Sequence, residues 1–211
     1  RAKVWPVTTE ASEKPIAKPK RVNLRRPDVM EQVKAQVMTH YRSELVDRLR
    51  AQGEVHCPTG RITIKLAKEF GFCYGVERCI DLAYAALKVF PNQPIYILGE
   101  IIHNPEVNDQ IRDMGIRFLS GPNKAADIDD LGEGDIVIIP AFGTEVGIRE
   151  KLEAKGCQFV DTTCGDVMSV WKRVRIYAKE EVTSIIHGKA SHEETMATSS
   201  QAIAKDGHYL V

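Results

Sequence analysis

Five side chains scattered along this chain have the chemistry of a reaction centre: Cys73, His103, Cys164, His192 and Glu194. A thiolate binds soft metals and iron–sulfur clusters, an imidazole donates hydrogen bonds to an anion, and a carboxyl group moves protons. Each falls just after a segment expected to be a strand. Cys73 follows Arg61–Ala67, in the turn Gly71-Phe72-Cys73-Tyr74-Gly75. His103 follows Pro94–Leu98, in Gly99-Glu100-Ile101-Ile102-His103-Asn104-Pro105. Cys164 follows Gln158–Asp161, and His192 and Glu194 follow Ser184–His187. In a parallel sheet the loops after the strands share one edge, so residues far apart in sequence converge there. Taken singly, each residue has a plainer reading. A cysteine in a glycine-rich turn packs as a small hydrophobe, a histidine after a strand caps a loop, and a glutamate in a first helical turn favours the helix dipole. Their joint placement carries more information than any one of them.

The elements that must position these residues alternate. Apolar positions Met30, Val33, Val37, Tyr41, Leu45 and Leu49 recur at helical spacing, so Asp28–Arg50 is expected to form one helix capped by Asp28, followed by a loop over Gly53–Gly60. Helices are expected over Val76–Val89, Val107–Met114, Glu145–Lys155, Gly165–Glu180 and His192–Ala204. Further strands are expected at Arg117–Leu119 and Asp135–Pro140 and from Tyr209 onward. Strand–helix alternation with short loops implies an α/β fold with parallel sheets. Residues 1–27, rich in proline and basic residues, read as a disordered lead-in, and 28–60 as an N-terminal helix and loop. Residues 61–163 read as a first α/β lobe and 164–211 as a second. The final Tyr209-Leu210-Val211 reads as a strand cut in its middle, as in a fragment.

Composition sets the outer bounds. Lys plus Arg and Asp plus Glu balance at 29 each, which argues against broad binding to nucleic acid or to a membrane surface but leaves room for a local anion pocket. No apolar run approaches the ~20 residues needed to span a bilayer, so a soluble, cytoplasmic protein is expected, or a plastid one if the source is a plant or alga. The five cysteines, Cys57, Cys73, Cys79, Cys157 and Cys164, form no CxxC pair and no disulfide framework. Spacing leaves two readings open: reduced core thiols, or a subset that meets in space as metal ligands.

Five ordered motifs resemble the IspH/LytB family of hydroxymethylbutenyl diphosphate reductases, in its cyanobacterial and plant branch. They are Gly71-Phe72-Cys73-Tyr74-Gly75-Val76-Glu77-Arg78, Gly99 to Pro105, Pro140-Ala141-Phe142-Gly143, Asp161-Thr162-Thr163-Cys164, and His187-Gly188-Lys189 to His192-Glu193-Glu194-Thr195. The likeness covers about residues 45–211. It implies three α/β lobes around a central 4Fe–4S cluster held by three cysteines, with Cys73 and Cys164 matching the first two and the third lobe and third cysteine beyond Val211. Cys57, Cys79 and Cys157 are not substitutes for the third. With three thiolates the unique iron keeps an open position for the substrate hydroxyl. The family removes that hydroxyl from (E)-4-hydroxy-3-methylbut-2-enyl diphosphate by reduction, giving isopentenyl and dimethylallyl diphosphates. By the same resemblance His103 and His192 contact the diphosphate, Glu194 relays protons, and the electron donor is a ferredoxin or flavodoxin. Lys189 and Thr195 are neighbours of that site.

Two departures from the family pattern stand out. Phe142 occupies a place where many members carry a further diphosphate-binding histidine, and Gly165 stands where a proline usually follows the second cysteine. Two other readings remain at this point. One is a non-catalytic α/β binding domain without a cluster, and the other is a zinc or mononuclear iron site built from Cys73, Cys164 and the histidines.

Overall fold

The computed structural model describes residues 22–180, 182–205 and 207–211. Of the expected lead-in, residues 1–21 lie outside the described residues. A four-stranded, all-parallel sheet forms the centre of the fold, in the order β4-β3-β5-β6. Its strands are β3 (Ile95–Ile97), β4 (Arg117–Phe118), β5 (Ile136–Ile139) and β6 (Gln158–Asp161). The Ile95–Ile97 and Ile136–Ile139 runs are apolar without alternation because both of their faces are covered.

On one face, Ile95, Ile97, Ile136 and Ile138 pack with Ile80, Ala83 and Tyr84 of α3 (Tyr74–Val89) and with Val107 and Ile111 of α4 (Pro105–Asp113). Leu24, and Val29 and Val33 of α1 (Pro27–Tyr41), join the same core. On the other face, Tyr96 and Val137 pack with Leu119, Leu131 and Cys157, and with Leu152 of α5 (Val146–Ala154). Fully burying an isoleucine such as Ile138 contributes on the order of 1.5–3 kcal/mol, so this double-sided core fixes the sheet on which the site is mounted.

The expected helix over Asp28–Arg50 is two helices, α1 and α2 (Glu44–Gln52), broken at Arg42-Ser43. The reason is local: Ser43 is extended and its hydroxyl accepts the backbone N–H of Val46, so it caps a new helix instead of continuing the old one. The expected Gly53–Gly60 loop contains a strand, β1 (Glu54–His56), paired antiparallel with β2 (Thr63–Lys65). The segment before Cys73 is therefore one arm of a separate hairpin, and not a strand of the parallel sheet. A third unit, β7 (Thr183–Ile185) and β8 (His208–Leu210), is parallel and stands apart from the central sheet. It flanks α6 (Gly165–Tyr177) and α7 (Glu193–Ile203), which pack on each other.

From β3 the chain crosses to β4 on one side, and from β5 to β6 on the other. Connections leaving in opposite directions open a crevice at the carboxyl ends of β3 and β5, where open α/β sheets bind ligands.

Candidate functional site

The loops after β3, β5 and β6 carry His103, Phe142 and Cys164 to that crevice. They are tied together by the backbone. The Ala141 N–H donates to the Ile101 carbonyl at 3.3 Å, and the Cys164 N–H donates to the Ala141 carbonyl at 2.9 Å. Phe142, projecting from the middle loop, stacks on the His103 ring with centroids 4.3 Å apart and planes at 22°. It also meets the edge of His192 at 5.7 Å.

Cys73 and Cys164 meet at Gly75. A β-carbon on Gly75 would lie 2.7 Å from Cys164 Sγ and 3.9 Å from Cys73 Sγ, so the missing side chain is what lets both thiols share one place. Each cysteine is the N-cap of a helix, Cys73 of α3 and Cys164 of α6. The positive ends of two helix dipoles therefore bear on the pair. Tyr74 crosses between these helix ends. The Asp166 carboxylate beside its hydroxyl, with partial desolvation and nearby Cys164, holds the phenol well above its ordinary pKa.

The Asp161-Thr162-Thr163-Cys164 loop is braced from several sides. Arg78 donates to the carbonyls of Thr163 (3.2 Å) and Asp161 (3.3 Å). Asp161 accepts from the Thr163 hydroxyl at 2.6 Å, the Thr163 N–H at 3.1 Å and Arg149 at 2.9 Å. Burial works to raise the Asp161 carboxyl, but those donors prevail and hold it below the usual carboxylate range. Gly143, at a positive φ of 82°, lets the aromatic ring of Trp171 press on the middle loop, where a β-carbon would overlap it. Trp171 in turn donates to Thr198 Oγ1 at 3.1 Å, joining α6 to α7.

The other cysteines serve elsewhere. Cys79 is fully buried beside Thr162 Oγ1, and desolvation pushes its thiol up to about 12. Cys157 is buried near the Gly132 carbonyl, with its pKa likewise raised by burial. Cys57 lies in the β1–β2 turn.

His103 and His192 face each other, Nε2 to Nε2, at 2.9 Å. The outer nitrogen of His103, Nδ1, lies 2.9 Å from Glu100 Oε2, while Nδ1 of His192 accepts the Glu194 backbone N–H at 3.2 Å and so caps α7. Glu193 Oε2 stands 3.8 Å from His103 Nε2. His103, His192 and Glu193 place three ligand atoms within 4.8 Å of one another, and neither Cys73 nor Cys164 belongs to this cluster. A metal ion would need the Nε2 lone pair of both rings. With Nδ1 occupied as an acceptor, the neutral ring of His192 carries its hydrogen on Nε2 and has no lone pair there for a metal ion.

Glu194 is half-buried. With His192, Thr195, Lys189 and Gly188 it lines a groove of about 550 Å³ between α6, β7 and the start of α7. The structure thus brings the two thiols together, brings the two imidazoles together, and puts Glu194 beside the second of them. Glu100, Arg78, Asp161 and Tyr74 belong to the site as its supports. All four lie within the motifs that resemble the family, but residue type and spacing assigned none of them a role.

The two thiol ligands present fit an iron–sulfur group: they are paired, set on helix N-termini, and share a cradle that a β-carbon would fill. An α/β protein that gathers paired thiols and paired imidazoles near the carboxyl edge of a parallel sheet is the class these features define. Residues 64–211 match the family described as LytB protein, and the chain belongs to that family.

It is 48% identical over 171 residues to a 4-hydroxy-3-methylbut-2-enyl diphosphate reductase of Prochlorococcus marinus, covering 81% of this chain and 42% of the relative. With the enzyme of the same name from Thermosynechococcus vestitus it shares 46% identity over 181 residues, or 86% of this chain and 44% of the relative. Its fold resembles the solved structure of (E)-4-hydroxy-3-methyl-but-2-enyl diphosphate reductase, the terminal enzyme of the non-mevalonate pathway. The TM-score is 0.57 and the identity 32%, over 69% of this chain and 49% of that one. The reductase of Plasmodium falciparum gives a TM-score of 0.58 at 32% identity, over 68% and 42% of the two chains. The chain therefore spans less than half the length of these proteins.

Proposed function

We propose that this chain supplies two cluster ligands, the diphosphate pocket and the proton-relay carboxyl of a 4-hydroxy-3-methylbut-2-enyl diphosphate reductase. In this reading Cys73 and Cys164 hold two corners of a 4Fe–4S cluster, and a third cysteine outside this chain completes it. When bound, the cluster supplies electrons and an iron with an open position for the substrate hydroxyl. The reaction consumes two electrons and two protons and releases the hydroxyl as water, leaving isopentenyl or dimethylallyl diphosphate.

The chain's own groups divide the remaining work. His103 and His192 donate to the diphosphate and fix the allylic end of the substrate relative to the thiol pair. Phe142 holds the His103 ring by stacking, which lets an aromatic residue serve where a third imidazole is common in the family. Glu194, half-buried in the groove beside His192, holds a proton for the leaving hydroxyl. Residues 61–163 and 164–211 are taken as two lobes meeting at this site, preceded by 28–60, which carries α1, α2 and β1. A ferredoxin or flavodoxin is the electron donor. The compartment is the cytoplasm, or the plastid in a plant or alga. Among the described residues no helix is long and apolar enough to cross a membrane.

The observation that carries this reading is the shared cradle at Gly75, which brings together two cysteines distant in sequence. The competing view, a binding domain without redox chemistry, leaves that cradle without a purpose. The test is turnover of the (E)-allylic diphosphate by anaerobic full-length protein with a chemical reductant, comparing wild type with Glu194→Gln. The reading expects the variant to keep its cluster and to lose at least about a hundredfold in kcat, the scale of general acid catalysis. Full activity in the variant removes Glu194 from the mechanism, and no reduction by the wild type removes the function.

A further inference from the structure

The hydrogen bonds around His103 and His192 fix where their protons are. Glu100 is a carboxylate acceptor, so His103 Nδ1, 2.9 Å away, carries a hydrogen. His192 Nδ1 accepts the Glu194 N–H, so it carries none. Only one hydrogen fits between the facing Nε2 atoms at 2.9 Å. Putting it on His103 would leave His192 an imidazolate, so it belongs to His192. In the free site, then, His103 carries its hydrogen on Nδ1, and its Nε2 presents a lone pair to the pocket.

A diphosphate entering this pocket, on the reading given under Proposed function, draws the His192 Nε2–H to a phosphate oxygen. His103 is then left pointing a lone pair at an anion. It cannot answer by switching tautomer, because moving its hydrogen from Nδ1 to Nε2 would set a bare nitrogen against the Glu100 carboxylate. We propose that diphosphate binding draws one proton from solvent onto His103 Nε2, and that Glu100 is the positioning residue that enforces this uptake.

The surroundings accept the resulting imidazolium. Glu100 pairs with its Nδ1–H, and the face of Phe142 lies 4.3 Å from the ring, an arrangement that favours a cation. Among the described residues the other charged group within 4 Å of it is Glu193, 3.8 Å from Nε2 and more than half exposed, which is free to swing into solvent as the phosphate arrives. His192 faces it as a neutral donor. The consequence is that diphosphate binding is coupled to the uptake of one proton, so affinity falls as pH rises.

Calorimetric titration of anaerobic full-length protein with inorganic pyrophosphate tests this, run at mildly alkaline pH in two buffers of different ionisation enthalpy. Pyrophosphate can itself gain or lose a proton, and ring-nitrogen spectra identify which partner holds it. The wild type is expected to take up about one proton more than Glu100→Gln, whose amide can donate to Nδ1 and let neutral His103 present Nε2–H. Equal uptake in the two proteins overturns the inference and leaves the pocket assignment standing. Absence of binding to the wild type overturns both. Ring-nitrogen NMR of histidine-labelled wild type gives a reading independent of the variant: the Nδ1–H tautomer when free, the imidazolium when bound. A neutral His103 in the complex contradicts the proposal.

Discussion

Gly75 and Cys164 are in contact: an added β-carbon on Gly75 would stand 2.7 Å from Cys164 Sγ, closer than unbonded atoms approach. The obstacle is the tip of a side chain, so relief would come from rotating the sulfur away and not from unfolding. Gly75→Ala is expected to reduce stability by about 1–3 kcal/mol, as overpacking does. It should reduce cluster content much more severely. Melting curves and iron content after anaerobic reconstitution check this, with iron per chain expected to fall at least threefold in a protein that still melts cooperatively.

Gly165 is the first residue of α6, directly after Cys164, and its N–H takes no part in the loop bonds that hold that cysteine. A proline fits the first helical position and restricts the unfolded chain. The space is open, since the nearest atom to a Gly165 β-carbon is the Tyr74 hydroxyl at 3.9 Å. Gly165→Pro is expected to add about 0.4–1 kcal/mol of stability and to slow bleaching of the bound cluster in air. Calorimetry and the decay of visible absorbance measure the two effects, and an unchanged decay rate counts against a loose ligand loop.

The central sheet was legible because β3 and β5 are short apolar runs between helical repeats, and β6 ends where Asp161 turns into the cysteine loop. Of the β1–β2 hairpin, β2 was legible within the expected strand Arg61–Ala67, where Ile62, Ile64 and Leu66 alternate, but β1 was not, since it is three residues with one partly buried side chain inside an expected loop. Ser43 concealed a helix break inside a continuous apolar stripe. The five candidate residues were legible as types after expected strands, but Cys73 reached its place by another route, from the hairpin and the start of α3. The bracing by Arg78, the Gly75 cradle and the His103–Phe142 stack depend on approaches between residues tens of positions apart, which no local pattern records.

Asp161 supplies a pH dependence of stability. Its carboxyl is held below the usual range in the folded chain, against the pull of burial, by Thr163 and Arg149. A depressed folded pKa contributes stability that is present above the unfolded value of about 3.9 and is lost as pH falls through the folded value. Asp161→Asn is expected to destabilise by about 1–3 kcal/mol at neutral pH, by leaving Arg149 and the Thr163 N–H without their anion. The gap between variant and wild type should narrow on acidification below about pH 4. Urea unfolding across pH measures it, and a gap that widens in acid contradicts this account.

Phe142 keeps His103 in place by its 4.3 Å stack. Aromatic pairs of this kind contribute about 0.5–1.5 kcal/mol beyond burial, so Phe142→Ala is expected to weaken pyrophosphate binding by about three- to tenfold. Titration calorimetry measures the change, and unaltered affinity would mean that the ring needs no such support.

The central claim is that Cys73 and Cys164 hold an iron–sulfur cluster, and acid-labile sulfide in anaerobically purified full-length protein tests it most directly. The account predicts sulfide and iron in near-equal amounts in the wild type, a brown colour, and loss of both in Cys73→Ser and in Cys164→Ser, with Cys79→Ser keeping them. Wild-type protein that is colourless and free of sulfide, or cysteine variants that retain full sulfide, would contradict it.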